Sequence, residues 1–391
     1  MNIVSKEDNR DPYDSFLMVP GPTVVDPRVR NVMSNNQMGH LSEEFTDDFN
    51  KLLVLSKQLF GTNTGSPFII TGSGTIAMEA TVLSLLEQNN KGLILDTGYF
   101  AQRFGQMLDC YSIDSNTLSF NFGSHADPDV LKTELKKNKY DAVFITHVDT
   151  SSTVMNNIYE LVKVVKDNNS LAIVDSVCGV GGCELNFDKL GADVVLTTSQ
   201  KAIGSVPGAG LMMLSQNAIE LLENRKSTIP SYYLNLKKWK VHMDNPKTYV
   251  ATPAIQVMVA LKTALEMIME EGLENRWNRH KNVANAIHAG IESLGLDFVA
   301  EENYRAYTVT GFHVPSGTSI QTQSELKSRF NVEVANGFGE MKNNALRVGH
   351  MANIGPNEVG CFLTGLETIL SEYDDTIKKG TVIDAISQIL K

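Results

Sequence analysis

Residues 171–210 read LAIVDSVCGVGGCELNFDKLGADVVLTTSQKAIGSVPGAG, and this stretch decides the fold prediction. Two apolar runs within it, residues 171–174 and 192–197, have the length and composition of buried strands. Asp175 ends the first run, and Lys201 comes just past the second. Because an interior strand has little use for a charged side chain, this pair indicates a functional site.

Further short apolar runs predict the rest of a sheet. They lie at residues 67–70, 92–95, 141–146 and 210–214. Helical periodicity is found at residues 44–60, 75–86, 128–137 and 156–168. Strands that alternate with helices predict an α/β fold with a mostly parallel sheet covered on both faces.

The pattern changes after residue 254. Two long amphipathic runs predict consecutive helices, strand-like runs follow at residues 306–314 and 330–334, and a closing helix is predicted at 356–371. The expected organisation is an N-terminal arm over residues 1–20, a large domain over 21–270 and a small C-terminal α/β domain over 271–391.

The chain has 391 residues and a formal net charge of −11, without a run of Lys and Arg. Nucleic acid is therefore not an expected partner. The four cysteines form no CxxC pair and are expected to be buried, reduced thiols. Since the sequence shows neither an apolar signal segment nor a membrane-spanning run, we expect a cytoplasmic protein without a membrane partner.

The apolar run at residues 67–70, the turn TGSG and the helical stretch at 75–86 predict a strand, a glycine turn and a helix in succession. A helix N-terminus presents free N–H groups to an anion, so Ser73, Gly74 and Thr75 are candidates for a phosphate site. A lysine amine forms a Schiff base with an aldehyde, and a carboxylate keeps a pyridine nitrogen protonated. Lys201, Asp175 and this turn together favour pyridoxal 5′-phosphate as the cofactor.

Residues 72–77 also fit GxGxxA, the fingerprint of a dinucleotide-binding turn, and Asp96 follows about 20 residues later, where that fingerprint places an acidic residue. This alternative predicts a dinucleotide-dependent oxidoreductase. The turn, however, does not begin an evident nucleotide-binding half, and the alternative gives Lys201 and Asp175 no role.

Other side chains at predicted strand ends are candidates for the same site. Phe100 lies just past the run that ends at Asp96, where its ring can stack on a flat cofactor. Thr150 and His147 follow another strand and suit the phenolic oxygen of the ring. Arg347 interrupts a short apolar stretch, and its guanidinium suits the carboxylate of an amino acid or a 2-oxo acid.

With these residues in view, the chain resembles the class V, fold-type I pyridoxal-phosphate aminotransferases, and among them the alanine–glyoxylate and serine–pyruvate enzymes. The likeness runs from about residue 16 to residue 372. Nine motifs carry it in order: VPGPT at 19–23, GSGT at 72–75, GYFAQR at 98–103, THVDTSST at 146–153, VDSVCGVGG at 174–182, TTSQK at 197–201, YVAT at 249–252, EEGLENRWNRH at 270–280 and LRVGHM at 346–351. The resemblance implies a large domain with a mostly parallel seven-stranded sheet and a smaller C-terminal α/β domain.

The resemblance also implies roles for the matching residues. Lys201 would hold the cofactor as an internal aldimine and act as base and then acid, and Asp175 would pair with the pyridine nitrogen. The further cofactor-binding positions implied are Ser73, Gly74, Thr75, Phe100, Thr150, Val177 and Gln200. Arg347 would grip the substrate carboxylate, and Gly21 and Thr150 would also face the substrate.

Two positions imply a second subunit. Tyr249 and Thr252 match residues that reach the cofactor phosphate of the neighbouring subunit, so a homodimer with shared active sites is expected. One position departs from the family pattern, because Phe100 stands where tryptophan is common in the alanine–glyoxylate enzymes. A smaller ring offers less stacking area to the cofactor.

The implied reaction is a ping-pong transfer of an amino group from a small amino acid, alanine or serine, to glyoxylate or pyruvate. A 2-aminoethylphosphonate–pyruvate aminotransferase remains an alternative, since it shares the fold and many motifs. A cysteine desulfurase would need a nucleophilic cysteine on a mobile loop, and residues 320–345 contain none.

Overall fold

The computed structural model of the protein describes residues 15–387 and 389, apart from the side chain of Glu340. Most of the predicted arm, residues 1–14, lies outside the described residues. The strands are β1 (Phe16–Leu17), β2 (Ser66–Gly72), β3 (Lys91–Asp96), β4 (Asp114–Ser119), β5 (Ala142–Thr146), β6 (Val148–Asp149), β7 (Val154–Met155), β8 (Leu171–Asp175), β9 (Val194–Thr198), β10 (Gly208–Leu214), β11 (Val309–His313), β12 (Val332–Glu333), β13 (Ala335–Asn336) and β14 (Ala345–Gly349).

The helices alternate with these strands in the first part of the chain and dominate after β10. They are α1 (Pro27–Val32), α2 (Glu43–Phe60), α3 (Gly74–Leu85), α4 (Tyr99–Cys110), α5 (Pro128–Lys137), α6 (Ile158–Asp167), α7 (Phe187–Leu190), α8 (Gln216–Asn224), α9 (Leu236–Asp244), α10 (Ile255–Glu271), α11 (Leu273–Ser293), α12 (Ser319–Phe330), α13 (Pro356–Leu370) and α14 (Thr381–Ile386). Every helix predicted from periodicity is present, with bounds shifted by at most a few residues.

A seven-stranded sheet in the order β2-β10-β9-β8-β5-β3-β4 forms the centre of the larger unit. Only β10 runs against its neighbours, β2 and β9, and the remaining pairs are parallel. All residues of β5 and β9 are buried, as expected for strands with helices on both faces. The predicted α/β class and the mostly parallel sheet are therefore confirmed.

Strand β4 is absent from the strands predicted by apolar runs. Its sequence DSNTLS contains one large apolar side chain, and four of its six residues are exposed and the other two half-buried. It forms the edge of the sheet through parallel pairing with β3, from Lys91 opposite Asp114 to Asp96 opposite Ser119. Tertiary pairing, which a local pattern does not report, makes this segment a strand.

A second hydrophobic core lies between helices α11, α12 and α13 and the sheet β11-β14-β13. The predicted strand over residues 330–334 is only partly correct, because Phe330 ends α12 and Asn331 turns the chain with φ of 59°. Only Val332 and Glu333 then extend as a strand. The predicted division into two domains at residue 270 stays a prediction.

The segment before residue 20 is not wholly irregular. Phe16 and Leu17 pair in parallel with Val332 and Glu333, and Met18 is buried in the second core. The chain therefore starts its described course beside the C-terminal core and crosses to the larger unit at residues 19–23.

The cysteines differ from the prediction at two positions, Cys110 and Cys361. Cys178 and Cys183 are buried, Cys361 is half-buried, and Cys110 is exposed because it ends α4 on its outer side. All four are free thiols. Among the helices of the described residues, none combines the length and the apolar character needed to cross a membrane.

Candidate active site

A cavity of about 190 Å³ lies where the carboxyl ends of β8 and β9 meet the N-terminus of α3. Its lining residues are Ser73, Gly74, Thr75, Met78, Phe100, Arg103, Val148, Thr150, Asp175, Val177, Cys178, Thr198, Gln200 and Lys201. All nine residues that the resemblance assigns to the cofactor within one subunit are among them. The structure thus brings together segments that are far apart in the chain.

Asp175 is the last residue of β8 and is held between two strands. It lies opposite Thr146 of β5 and Leu196 of β9, and its Oδ1 accepts a hydrogen bond from the backbone N–H of Val177 at 2.9 Å. Burial raises the pKa of the Asp175 carboxyl to about 7, and the neighbouring charge of Asp149 adds to the increase. The carboxylate form therefore depends on a cationic or N–H partner in the cavity.

Lys201 lies in the turn after β9, directly under the segment that crosses between the two units. Its Nζ donates a hydrogen bond to the carbonyl oxygen of Pro20. At Gly21, φ is +100°, and an added Cβ would lie 2.5 Å from Cδ and 2.6 Å from Nζ of Lys201. Only glycine allows the backbone to approach the amine this closely.

At the predicted phosphate turn, the N-terminus of α3 has no side-chain cap. Ser73 is the N-cap of α3, but its side chain makes no capping hydrogen bond. An added Cβ at Gly74 would lie 3.0 Å from Cγ2 of Val177, so the turn sits tightly against the cavity wall. The first N–H groups of α3 and the Ser73 hydroxyl are thus available to an anion.

Arg103 is a candidate that the sequence reasoning missed. Its Nη1 donates to Oγ1 of Thr75 at 3.2 Å, and its guanidinium carbon lies 4.9 Å from the ring centroid of Phe100. It occupies position i+3 from Phe100 on α4, so both side chains share one helix face. The motif GYFAQR contained this signal, because a residue three positions from a proposed stacking ring faces the same site.

Asp149 was also missed, because it acts on backbone groups of a distant helix. Its carboxylate accepts hydrogen bonds from the backbone N–H groups of Phe100, Ala101 and Ser151 and from the Ser151 hydroxyl, at 2.5 to 3.2 Å. Burial raises the pKa of this carboxyl. Asp149 thereby fixes the start of α4, which carries Phe100.

Arg347 reaches the cavity rim from strand β14 of the second unit. Its Nη1 donates to the carbonyl oxygen of Thr150 at 2.6 Å, and its Nε donates to the carbonyl oxygen of Asn336 at 2.9 Å. Burial lowers the pKa of the guanidinium, while the charge of Asp149 opposes this effect. The side chain therefore brings a positive charge beside Thr150 of the cavity.

Arg276 supports the loops under the cavity. It is buried, its Nε donates to the carbonyl oxygen of Gly181 at 2.9 Å, and its Nη2 donates to that of Ala202 at 2.7 Å. Its Nη1 donates to Glu271 at 2.8 Å. One guanidinium thus ties together the loop after β8 and the residue next to Lys201.

Three sequence candidates lie away from the cavity. His147 packs behind it with Nδ1 2.8 Å from Oγ of Ser176, and burial lowers its pKa to about 4, so its proposed contact with a phenolic oxygen is not supported. The Tyr249 hydroxyl lies 3.2 Å from Oγ1 of Thr252, and 58% of Tyr249 is exposed. Neither Tyr249 nor Thr252 lines the cavity of its own chain.

The topology disfavours the dinucleotide alternative. That fingerprint needs the strand before the glycine turn and the strand that ends on the acidic residue to be neighbours. Here β2 and β3 are separated by β10, β9, β8 and β5. The carboxylate of Asp96 instead accepts hydrogen bonds from Gly98 N and Gln102 Nε2.

The donor set of the cavity fits pyridoxal phosphate. A buried carboxylate, an amine, an uncapped helix N-terminus and a guanidinium lie around one space, opposite an aromatic ring. Asp175 ends β8, and Lys201 follows the adjacent parallel strand β9. This sheet with this site defines a fold-type I pyridoxal-phosphate transferase.

The chain belongs to the class-V aminotransferase family, whose model matches residues 28–343. It is a pyridoxal-phosphate-dependent transaminase. An uncharacterized aminotransferase of Methanocaldococcus jannaschii is 34% identical over 97% of this chain and 99% of its own length. Alanine–glyoxylate aminotransferase 1 of Saccharomyces cerevisiae is 30% identical over 86% of this chain and 91% of its own. The crystal structure of ureidoglycine–glyoxylate aminotransferase from Bacillus subtilis matches with a TM-score of 0.92 and 27% identity, over 96% of this chain and 97% of that one.

Proposed function

We propose that the protein transfers an amino group from alanine or serine to glyoxylate or pyruvate by a ping-pong mechanism. The observation that carries this proposal is the arrangement of three groups at one cavity. Lys201 and Asp175 line it, and Arg347 lies against Thr150 at its rim. An amine, a buried acid and a carboxylate ligand are what this reaction requires of the protein.

Pyridoxal phosphate, when bound, supplies an aldehyde and an electron-withdrawing ring, which together make amino transfer possible. In our proposal, Nζ of Lys201 anchors it, and the carboxylate of Asp175 accepts a hydrogen bond from the ring nitrogen. Ser73, Gly74 and Thr75 hold the phosphate, with Arg103 as an added cation. Phe100 provides the stacking ring, and Val177, Gln200 and Thr150 complete the wall.

The chain's own residues then carry the proton and position the substrate. Arg347 binds the α-carboxylate of the amino donor, which directs the Cα–H bond toward Lys201. Nζ of Lys201 takes this proton as a base and returns it as an acid. Gly21 keeps the crossing segment close over the amine, which helps to exclude water from it.

The names of the relatives support the choice of acceptor. Both the yeast relative and the Bacillus subtilis structure are named for glyoxylate as a substrate. The yeast relative is also named for alanine as the donor. We extend both substrates to this chain as part of the proposal.

We also propose a homodimer with shared active sites. Tyr249 is largely exposed and lies outside its own cavity, as a residue that contacts a second copy should. Its hydroxyl and that of Thr252 lie close enough to act on one phosphate together.

The test is a matrix of donors and acceptors measured with the purified protein. Alanine is paired with glyoxylate, and serine with glyoxylate and with pyruvate, because alanine and pyruvate would only regenerate each other. Parallel lines in double-reciprocal plots are expected for a ping-pong reaction. The protein should be yellow, and borohydride reduction should attach the cofactor to Lys201. Lys201→Ala should lower turnover by at least about 10⁴-fold. Absence of transfer in all three pairs would contradict the proposed substrates.

A further inference from the structure

Phe338 stands between the candidate active site and a second, larger cleft. Its ring centroid lies 4.5 Å from that of Tyr99 and 6.2 Å from that of Phe100. Phe100 lines the active-site cavity, whereas Tyr99 and Phe338 line the cleft. We call these three rings the aromatic partition, because they contact one another and each lines one of the two spaces.

The cleft has a volume of about 460 Å³ and mostly apolar walls. Its lining residues are Asp96, Thr97, Gly98, Tyr99, Gln102, Phe120, Phe122, Phe338, Gly339 and Met341. The carboxylate of Asp96 already accepts hydrogen bonds from Gly98 N and Gln102 Nε2. Four aromatic rings and Met341 provide most of the other wall surface of the cleft. Such walls suit an apolar chain and offer little to a charged one.

The ring of Phe338 is held in position from several sides. The guanidinium carbon of Arg347 lies 5.3 Å from the ring centroid. The backbone on either side is fixed, because Gly337 N donates to Ala345 O at 2.7 Å and Met341 N donates to Phe338 O at 3.0 Å. Displacing the ring would therefore disturb Arg347 and the turn that follows.

We propose that Phe338 sets the upper limit on the size of the amino donor's side chain. This inference rests on the proposed function, in which the donor carboxylate lies on Arg347 and its Cα faces Lys201. Phe338 touches both Arg347 and the partition ring Phe100, so it lies beside the side chain of any donor bound in this way. The methyl group of alanine and the hydroxymethyl group of serine fit beside the ring, and longer chains collide with it.

Removing the Phe338 ring should allow donors with longer side chains to bind. Without Phe338 the active site opens into the cleft, and apolar walls then take a longer side chain out of water. Loss of a purely structural ring would reduce activity with all donors alike. A gain with long donors is specific to the proposed role.

The experiment compares alanine, 2-aminobutyrate, norvaline and norleucine as donors, with glyoxylate as acceptor. For the wild-type protein, kcat/KM should fall by at least about tenfold from alanine to norleucine, because overpacking a fixed site is costly. In Phe338→Ala, the ratio of norleucine to alanine should rise by at least about tenfold, since each buried methylene contributes about fourfold. Phe338→Leu should give an intermediate ratio. Phe122→Ala is the matched control, because Phe122 lines only the cleft, and it should keep the wild-type ratio.

The outcomes separate the two proposals. A wild-type protein that uses norleucine as well as alanine would overturn the role of Phe338, as would an unchanged ratio in Phe338→Ala with normal cofactor absorbance. If Phe338→Ala does not bind the cofactor, an unchanged ratio in Phe338→Leu overturns it instead. A wild-type protein that transfers from none of the donors contradicts the proposed function rather than the size limit.

Discussion

Nη1 of Arg347 donates a hydrogen bond to the carbonyl oxygen of Thr150 at 2.6 Å, and this bond joins the second unit to the cavity of the first. Nε of Arg347 donates a hydrogen bond to the carbonyl oxygen of Asn336. Within the described residues, Nη2 donates no hydrogen bond, so one edge of the guanidinium is available to a ligand carboxylate. The backbone carbonyls orient the group without neutralising its charge.

Arg347→Ala is expected to weaken binding of α-carboxylate substrates. Loss of a charged, partly buried hydrogen-bonding partner costs about 2–4 kcal/mol, and the effect should appear chiefly as a higher KM. Steady-state kinetics with alanine and glyoxylate measures it. Arg305→Ala is the control, since Arg305 pairs with Glu292 away from the cavity, and it should leave KM unchanged. An unchanged KM in Arg347→Ala would move the substrate site elsewhere.

Asp175 should make the cofactor-free protein less stable as pH rises. Its folded pKa of about 7 lies above the ordinary value of about 3.9, so the folded state holds the proton more tightly. Stability from this group is complete below about pH 4 and declines as pH rises to about 7. Relative to Asp175→Asn, the wild-type protein should lose about 2–3 kcal/mol of unfolding free energy between pH 5 and pH 8. Urea unfolding at both pH values measures this, and identical pH dependence in the two proteins would refute it.

Asp149→Ala should loosen the start of α4. It removes the acceptor of the Phe100 and Ser151 N–H groups and of the Ser151 hydroxyl, while the Ala101 N–H keeps only the carbonyl oxygen of Gly98, and these losses should cost about 2–4 kcal/mol of unfolding free energy. Since Phe100 is carried by this turn, the dissociation constant of pyridoxal phosphate should rise by at least about tenfold. Denaturant unfolding and a fluorescence titration measure the two effects. Asp167→Ala, which removes an exposed carboxylate, serves as control and should change neither.

Arg276→Ala should destabilise the loops beneath Lys201. The change leaves the carbonyls of Gly181 and Ala202 without their donor and removes one of the two guanidinium partners of Glu271, at a cost of about 2–4 kcal/mol. Arg279 also binds Glu271 but is more exposed, so Arg279→Ala should cost less. Denaturant unfolding of both variants compares them. Equal losses of unfolding free energy in the two variants would mean that the burial of Arg276 adds nothing to its contribution to stability.

The sequence predicts those parts of the fold and site that follow from local patterns. The buried strands are continuous apolar runs, and Asp175 and Lys201 stand out because they end two of them. Strand β4 escapes prediction because its partner β3, rather than its own composition, makes it a strand. Asp149 was not predicted because its role depends on N–H groups of a helix some 50 residues earlier in the chain.

Other parts of the site depend on information beyond one chain's local sequence. Phe338 belongs to an irregular segment, and its place beside Arg347 and Phe100 results from the packing of the two units. The assignments of Tyr249 and Thr252 rest on the resemblance alone, because a residue that acts on a second copy leaves no periodic signal in its own chain. His147 shows the reverse error, since its position after a strand suggested a contact that the pairing with Ser176 replaces.

The short pairing of β1 with β12 has a consequence for folding during synthesis. Phe16 and Leu17 leave the ribosome early, whereas Val332 and Glu333, their partners, leave it late. Contacts of such long sequence separation form slowly. During synthesis, the larger sheet can therefore assemble while the N-terminal strand still waits for its partner. Until β12 has been synthesised, the segment at residues 19–23 lacks the support of the β1 pairing and is held over Lys201 by its own hydrogen bonds with Gln200 and Lys201.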